Sequence, residues 1–248
     1  MSRILLLLVA GLKFGKLFGT VGTMLLAVGV YALFYGWRFA VGIVAMLFIH
    51  EIGHYIAARQ RGLAVRLPMF IPFAFAWTRL DDVPHNAETE AYVGIAGPLL
   101  GTVGALGAYY FAHNESAPWL LAVAYTGFLI NLINLIPLPP LDGGRITAVL
   151  SPRIWLLGVP VLGMLLWYHF TPMLLVIGIL AIPHVIAALK HNPDTPEAKA
   201  YFAVSERVRW EYALIYIVLL AYLGMMVNEV DQQLHALRDM APGRSESI

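Results

Sequence analysis

Residues 49–55, Ile-His-Glu-Ile-Gly-His-Tyr, interrupt a segment that otherwise consists almost entirely of apolar residues. If residues 37–59 form a helix, His50 and His54 are four positions apart and lie on one face, where two imidazole nitrogens can share a metal ion. Glu51 then projects to the flank of that face, where it can accept a proton from metal-activated water instead of binding the metal. The stretch predicts half of a catalytic zinc site placed within a membrane.

The composition of the chain is typical of a membrane protein. Of its 248 residues, 60% are apolar and 12% are charged, and the mean hydropathy is +0.74, whereas soluble domains carry roughly 25% charged residues. The net charge of +1 gives no reason to expect a nucleic-acid partner. The chain has no cysteine, which excludes disulfides and thiolate zinc sites, so any metal must have nitrogen and oxygen ligands.

Apolar spans recur along the whole chain, and several approach the ~20 residues that a helix needs to cross about 30 Å of hydrocarbon. The fifth is short and contains Gly158, Pro160 and Gly163, which predicts a kinked, tilted or only partly spanning helix. We therefore predict an all-α polytopic bundle of about six or seven transmembrane helices. The spans cover residues 20–36, 38–58, 91–112, 118–136, 154–169, 171–189 and 210–227.

Charge asymmetry predicts the orientation of the bundle. If all the spans alternate across the bilayer, most Lys and Arg residues fall on one side, which is the pattern of cytoplasmic loops. This places the N-terminus and the opening of the site on the cytoplasmic side, most simply of the cell membrane. On that side, the connection after residue 61 begins with alternating Val65 and Leu67 and continues as the apolar, proline-broken stretch 68–77, which favours an interfacial or re-entrant hairpin.

A catalytic zinc site takes three protein ligands, so a third must come from another span at the same depth. Since His54 lies shortly before the cytoplasmic end of its span, the ligand should lie near the cytoplasmic end of another. Asp142 follows the fourth span and a stretch with three prolines, a nonregular backbone that membranes tolerate only where it is buried or lines a wet cavity. The glycine pair after Asp142 permits a sharp turn. The alternative is a capping carboxylate at the start of the helix near Arg145.

Other polar and small residues have weaker interpretations. Asn134 could bind the backbone of an extended peptide or stabilise a developing oxyanion, although Asn134 and Asn131 could each simply contact neighbouring helices. Gly97 lies in a span whose glycine spacing favours close helix packing. His184 lies in an apolar span without a second ligand at useful spacing, which favours a packing role.

Two motifs taken together resemble those of the site-2 protease family of intramembrane zinc metalloproteases. They are His50-Glu-Ile-Gly-His54 and the stretch from Asn134 to Gly144, Asn-Leu-Ile-Pro-Leu-Pro-Pro-Leu-Asp-Gly-Gly; residues 94–101, Gly-Ile-Ala-Gly-Pro-Leu-Leu-Gly, resemble the glycine-containing middle motif of that family. The resemblance covers about residues 38–150 and implies a three-helix catalytic core. It implies one Zn²⁺ ion bound by His50, His54 and Asp142, with Glu51 as the base and Asn134 assisting at the scissile carbonyl.

These observations predict an intramembrane zinc endopeptidase that hydrolyses peptide bonds in or near transmembrane segments of other proteins in the lipid bilayer. The alternative is a non-proteolytic multi-pass protein that binds or transports a divalent metal. The expected organisation is an N-terminal segment with the first transmembrane helix (1–36), a zinc protease core (37–150), C-terminal transmembrane helices (151–228) and a disordered polar tail (229–248). The sequence leaves the substrate and the oligomeric state open.

Overall fold

The computed structural model describes residues 3–72, 75–78, 80–115 and 117–240. Within these residues the chain is predominantly helical, with one two-stranded hairpin between the second and third helices. The elements are α1 (Arg3–Tyr35), α2 (Trp37–Gln60), β1 (Met69–Ile71), β2 (Phe75–Trp77), α3 (Ala87–Asn114), α4 (Pro118–Asn134), α5 (Asp142–Ala148), a 3-10 helix (Pro152–Leu157), α6 (Gly158–Tyr168), α7 (Pro172–Leu189), α8 (Pro196–Tyr201) and α9 (Glu206–Met240).

Four described helices, α2, α3, α7 and α9, are long and apolar enough to cross a membrane. Shorter apolar helical segments cover Gly19–Tyr35, Pro118–Asn134 and Pro152–Tyr168. The prediction of a polytopic helical bundle is confirmed at this level, while the count of six or seven spans stays a prediction. The fifth apolar span is divided between the 3-10 helix and α6, and α6 alone, with 11 residues, rises about 16 Å. That this span crosses only partly stays a prediction.

Helices α2, α3 and α4 pack closely because glycines lie where their backbones approach. A Cβ atom at Gly53 of α2 would lie 2.3 Å from the carbonyl oxygen of Ala96 in α3. A Cβ atom at Gly42 would lie 2.4 Å from a methyl group of Val123 in α4. Without a hydrophobic driving force between helices in lipid, such close contacts are a main source of their association. These helices therefore lie close together around the residues that carry the polar groups.

A nonhelical loop joins α4 to α5, as the three prolines predict. The loop folds back across the start of α5, so that a Cβ atom at Gly143 would lie 2.2 Å from the carbonyl oxygen of Leu135, and one at Gly144 would lie 2.2 Å from the nitrogen of Pro139. Both glycines lie inside α5, and neither has a positive φ. The interpretation of the pair as a sharp turn is therefore wrong, since these glycines provide room for the loop.

The C-terminal elements pack in two different places. Helices α6 and α7 pack on the loop before α5, in a cluster that includes Leu138, Leu141 and Leu162. Helix α9 packs against α3 and α4 and continues to Met240. Residues 229–240 are thus helical and not disordered, with local support from the bond between Gln233 and Glu229; residues 241–248 lie outside the described residues.

The predicted hairpin is present between α2 and α3, and its strands start later than Val65. β1 and β2 are antiparallel, with Phe70 opposite Ala76, whereas Val65 forms only an isolated bridge with Leu80. The amide of Phe70 donates a hydrogen bond to Thr23 Oγ1 of α1, at 3.3 Å. This contact covers the edge of β1 that faces away from β2.

Candidate metal centre

Three side chains from α2 and α5 meet inside the bundle. The Nε2 atoms of His50 and His54 are 3.1 Å apart, and Oδ2 of Asp142 lies 3.1 Å from the first and 3.2 Å from the second. All three residues are buried. Among the residues that the structure describes, they form the only group of three or more His, Cys, Asp or Glu side chains placed to hold a metal ion.

The outer nitrogens of both imidazoles are hydrogen-bond donors. Nδ1 of His54 lies 2.8 Å from the carbonyl oxygen of Val93, which can only accept. Nδ1 of His50 lies 2.8 Å from Oδ1 of Asn131, whose amide nitrogen donates to the carbonyl oxygen of Gly127 at 2.7 Å. Because a neutral imidazole carries a single N–H, both Nε2 atoms direct lone pairs towards the centre of the group.

Two imidazole lone pairs and a carboxylate oxygen therefore converge at short range. Three such acceptors repel one another unless a proton or a metal cation lies among them. In a tetrahedral zinc site with bonds of 2.0–2.1 Å, neighbouring ligand atoms are about 3.3 Å apart, which is close to the distances of 3.1 Å and 3.2 Å found here. Two imidazoles and one carboxylate also form a donor set suited to zinc, so His50, His54 and Asp142 fit one zinc ion.

Asp142 does not act as a helix cap. It is the first residue of α5, and the capping position belongs to Leu141, which has no side-chain capping bond. The Asp142 carboxylate points instead to the two histidines. The loop before α5 places it there, because Gly143 lets that loop pass close to the start of the helix.

Glu51 lies next to the group without joining it. The residue is 7% exposed, and no described residue donates a hydrogen bond to its carboxylate. Its main-chain carbonyl accepts a hydrogen bond from Thr78 Oγ1 at 3.3 Å, which links α2 to the residue that follows β2. Since the structure describes no buried side-chain oxygen that lacks a hydrogen-bond partner, the carboxylate of Glu51 keeps some contact with solvent. A carboxylate in an apolar span is costly, which favours a functional role over a structural one.

The two asparagines of α4 have different surroundings. Asn134, the residue selected from the sequence, is half-buried and donates to the carbonyl oxygen of Ile130 at 3.0 Å. No described hydrogen bond joins Asn134 to the His-His-Asp group. Asn131 is 2% exposed and fixes the imidazole of His50, a positioning contact of the kind that orients metal ligands.

The contact of Asn131 was missed in the sequence, where this residue was interpreted only as a helix-packing group. The sequence does contain a signal for this contact. Asn131 lies one turn before Asn134 and deeper in the same apolar span, where a polar amide needs a partner. Helix α3 leaves room for both contacts. A Cβ atom at Gly97 would lie 2.2 Å from His54 Nε2, and one at Gly101 would lie 2.3 Å from Asn131 Oδ1.

The remaining histidine of interest, His184, packs edge-on against Trp155, with ring centroids 6.1 Å apart. This contact agrees with the packing role expected from its apolar surroundings. His184 is not part of the buried acceptor group, which consists of residues from α2 and α5 alone.

The fold and this group of side chains define a polytopic helical protein with a buried His-His-Asp centre suited to zinc. The chain is 32% identical over 111 residues to zinc metalloprotease MJ0392 of Methanocaldococcus jannaschii, a match that covers 42% of this chain and 32% of that protein. It is 28% identical over 171 residues to "Probable zinc metalloprotease EGY2, chloroplastic" of Oryza sativa subsp. indica, covering 48% of this chain and 31% of that protein. These matches confirm the resemblance to site-2 proteases.

A longer match reaches beyond the central helices. The chain is 23% identical over 239 residues to "Probable zinc metalloprotease EGY1, chloroplastic" of Arabidopsis thaliana, which covers 73% of this chain and 41% of that protein. The chain thus spans less than half the length of each of these relatives. No family model matches the chain.

Proposed function

We propose that this protein is an intramembrane zinc endopeptidase that cleaves other membrane proteins in or near their transmembrane segments. The observation that carries the proposal is the convergence of three buried acceptor atoms, on His50, His54 and Asp142, next to Glu51, whose carboxylate forms no hydrogen bond with the part of the chain that the structure describes. The names of the relatives support a zinc protease. The apolar helices that surround the group support a substrate that reaches it within the lipid bilayer.

The residues divide the chemistry between them. Zinc, when bound, supplies a Lewis acid that polarises oxygen ligands and makes water acidic enough to be deprotonated near neutral pH. Glu51 accepts a proton from the attacking water as the oxygen forms a bond to the scissile carbonyl carbon. As the bond between carbon and nitrogen breaks, Glu51 returns this proton to the leaving amine. Asn134, at the end of α4, assists by donating a hydrogen bond to the scissile carbonyl oxygen.

The proposal includes the membrane arrangement predicted from charge. About six or seven helices cross the bilayer, the N-terminus lies in the cytoplasm, and water reaches the site from the cytoplasmic side of the cell membrane. Residues 37–150 form the protease core around α2, α3 and α4, and residues 1–36 and 151–228 supply flanking transmembrane helices. The location of the Lys and Arg residues supports this orientation.

We further propose that the hairpin holds an unwound substrate strand beside Glu51. A helical substrate must unwind before its peptide bonds can be attacked, and an exposed strand edge can pair with the extended segment. Because the amide of Phe70 points away from β2, towards Thr23, Phe70 and Ala76 form a pair that exchanges no hydrogen bonds. The N–H and C=O of Ala76 therefore face the outer edge of β2, the strand that leads to Thr78 and Glu51.

Replacing Ala76 with Pro is expected to slow cleavage about tenfold, the cost of one or two lost hydrogen bonds to substrate, while zinc content is unchanged. Proline removes the outward N–H but leaves the bonds between β1 and β2 in place. The measurement is the rate of cleavage of a purified transmembrane substrate, with metal analysis of the same samples. Ala76→Ser, which keeps the N–H, is the control and should cleave at the rate of the parent protein. Equal rates for the two variants would show that this edge does not bind substrate.

Metal removal tests the proposed function directly. The detergent-purified protein is expected to contain one zinc ion per chain and to cleave a model transmembrane substrate. A chelator should stop cleavage, and added zinc should restore it, because the polarising cation is lost and regained. Cleavage that survives complete removal of the metal would refute the proposal. Zinc uptake by proteoliposomes, without cleavage of the substrate, would favour metal transport instead.

A further inference from the structure

Helix α9 holds the Asp142 segment from both sides. The carbonyl oxygen of Leu135, before the proline-containing loop, accepts a hydrogen bond from the hydroxyl of Tyr216. The carbonyl oxygen of Leu150, just after α5, accepts one from Nη1 of Arg209 at 2.8 Å. Both donors belong to α9 and both acceptors are main-chain atoms, so the contacts fix the path of the backbone on either side of Asp142.

Both carbonyl groups lie where a helix has just ended. The last carbonyls of a helix have no partner within that helix, and an unpaired carbonyl buried away from water costs free energy comparable to a lost hydrogen bond. Leu135 follows the last residue of α4, and Leu150 lies two residues beyond the end of α5. Tyr216 and Arg209 thus supply donors that the local chain does not.

Arg209 joins more than one segment. Its guanidinium also donates to the carbonyl oxygen of Phe202 at 2.8 Å and to that of Val204 at 3.3 Å. These two residues lie between α8 and α9, and they pack with Val149 and Leu150 in one apolar cluster. A guanidinium group, which is planar and has five N–H donors, can bond several carbonyl oxygens at once. Arg209 thereby joins the start of α9 to the residues after α5.

Two further contacts join α8 to α3 and the 3-10 helix to α5. The hydroxyl of Tyr201 in α8 donates to Glu90 at the start of α3; burial, and then the neighbouring Glu90 carboxylate, raise the pKa of Tyr201 well above its usual value, so the hydroxyl stays protonated and keeps donating. The indole nitrogen of Trp155 donates to the carbonyl oxygen of Gly144 at 2.8 Å. The Asp142 segment is therefore held at its two ends by α9 and in its middle by Trp155.

We propose that α9 is a supporting part of the metal centre, and that Tyr216 and Arg209 are positioning residues that set the Asp142 carboxylate against His50 and His54. The inference rests on the proposed zinc site and goes beyond it, because α9 lies outside the stretch that carries the motifs. Without these two donors, the backbone around Asp142 samples more positions. The carboxylate oxygen then spends less time at the distance that a shared metal ion requires.

Replacing Tyr216 with Phe is expected to weaken zinc binding about tenfold, an effect no larger than the smaller losses caused by removing a group that bonds a metal ligand directly. The change removes one hydroxyl and keeps the ring that packs in the apolar core. The matched control is Tyr222→Phe, the same change on the same helix, because no described residue hydrogen-bonds to the Tyr222 hydroxyl. Zinc affinity is measured by chelator competition, and the Co²⁺-loaded protein gives a visible spectrum that reports the ligand geometry.

The inference is supported if Tyr216→Phe lowers zinc affinity and changes the Co²⁺ spectrum while Tyr222→Phe does neither. It is overturned if the two variants bind zinc equally well, or if both lose affinity in proportion to a fall in thermal stability. Should Tyr216→Phe fail to fold, Arg209→Gln replaces it. Arg207→Gln is its control, because Arg207 is exposed and its one ion pair among the described residues is with Glu211 in the same helix. An unaltered parent chain that binds no zinc would instead refute the proposed function, and the inference with it.

Discussion

Replacing Glu51 with Gln is expected to leave zinc bound and to lower the rate of cleavage by about 10²- to 10⁴-fold, the usual contribution of a positioned general base. Gln has nearly the same shape as Glu and cannot accept the proton. Zinc should remain because Glu51 does not belong to the group formed by His50, His54 and Asp142. The fold should remain as well, since the substitution removes a buried negative charge that has no hydrogen-bond donor among the described residues.

The measurement combines metal analysis with single-turnover cleavage of a transmembrane substrate. Glu206→Gln makes the same chemical change at an exposed carboxylate at the start of α9, and it should leave both quantities unaltered. Cleavage at the parent rate would exclude Glu51 as the base. Loss of zinc from the Glu51→Gln protein would show that the Glu51 carboxylate is itself a metal ligand, in contrast to the three-residue site proposed from the geometry of His50, His54 and Asp142.

The residues of the candidate site divide into those that local pattern reveals and those that it does not. His50 and His54 follow from helical periodicity alone, because a spacing of four places two side chains on one face. Asp142 is 88 positions from His54, and it was selected because charge asymmetry placed both residues near the same end of their spans. The structure brings these three side chains within hydrogen-bonding distance of one another.

The contact of Asn131 with His50 and the contacts of α9 with the Asp142 segment were not predicted from the sequence, for a physical reason. Asn131 and Asn134 are chemically identical and one turn apart, so only the rotation of α4 about its axis decides which amide meets His50. The donors on α9 reach main-chain carbonyls, which every residue carries and which leave no trace in the pattern of side chains. The helical continuation to Met240 was missed for a related reason, because polar residues are compatible with both a solvated helix and a disordered tail.

Gly97 was interpreted from spacing as a packing residue, and its surroundings indicate a more specific requirement. Replacing Gly97 with Ala is expected to weaken zinc binding about 100-fold, at the upper end of effects from outside the ligand set. The new methyl group would lie 2.2 Å from Nε2 of His54, the atom that faces the metal position. The imidazole cannot turn aside without losing its bond to Val93, and α2 cannot move away from α3 without losing the close packing of Gly53 on the backbone of Ala96.

The control is Gly107→Ala, the same change in the same helix, where an added Cβ atom meets nothing within 4 Å. That variant should bind zinc like the parent protein, with stability equal or higher by up to about 1 kcal/mol because Ala favours the helix. Zinc affinity and thermal unfolding are measured for both. A Gly97→Ala protein that loses stability but keeps its zinc affinity would show that Gly97 acts in helix packing alone. A protein that loses affinity far beyond any change in stability would show that α3 leaves out a side chain at this position so that His54 can hold its metal-facing nitrogen in place.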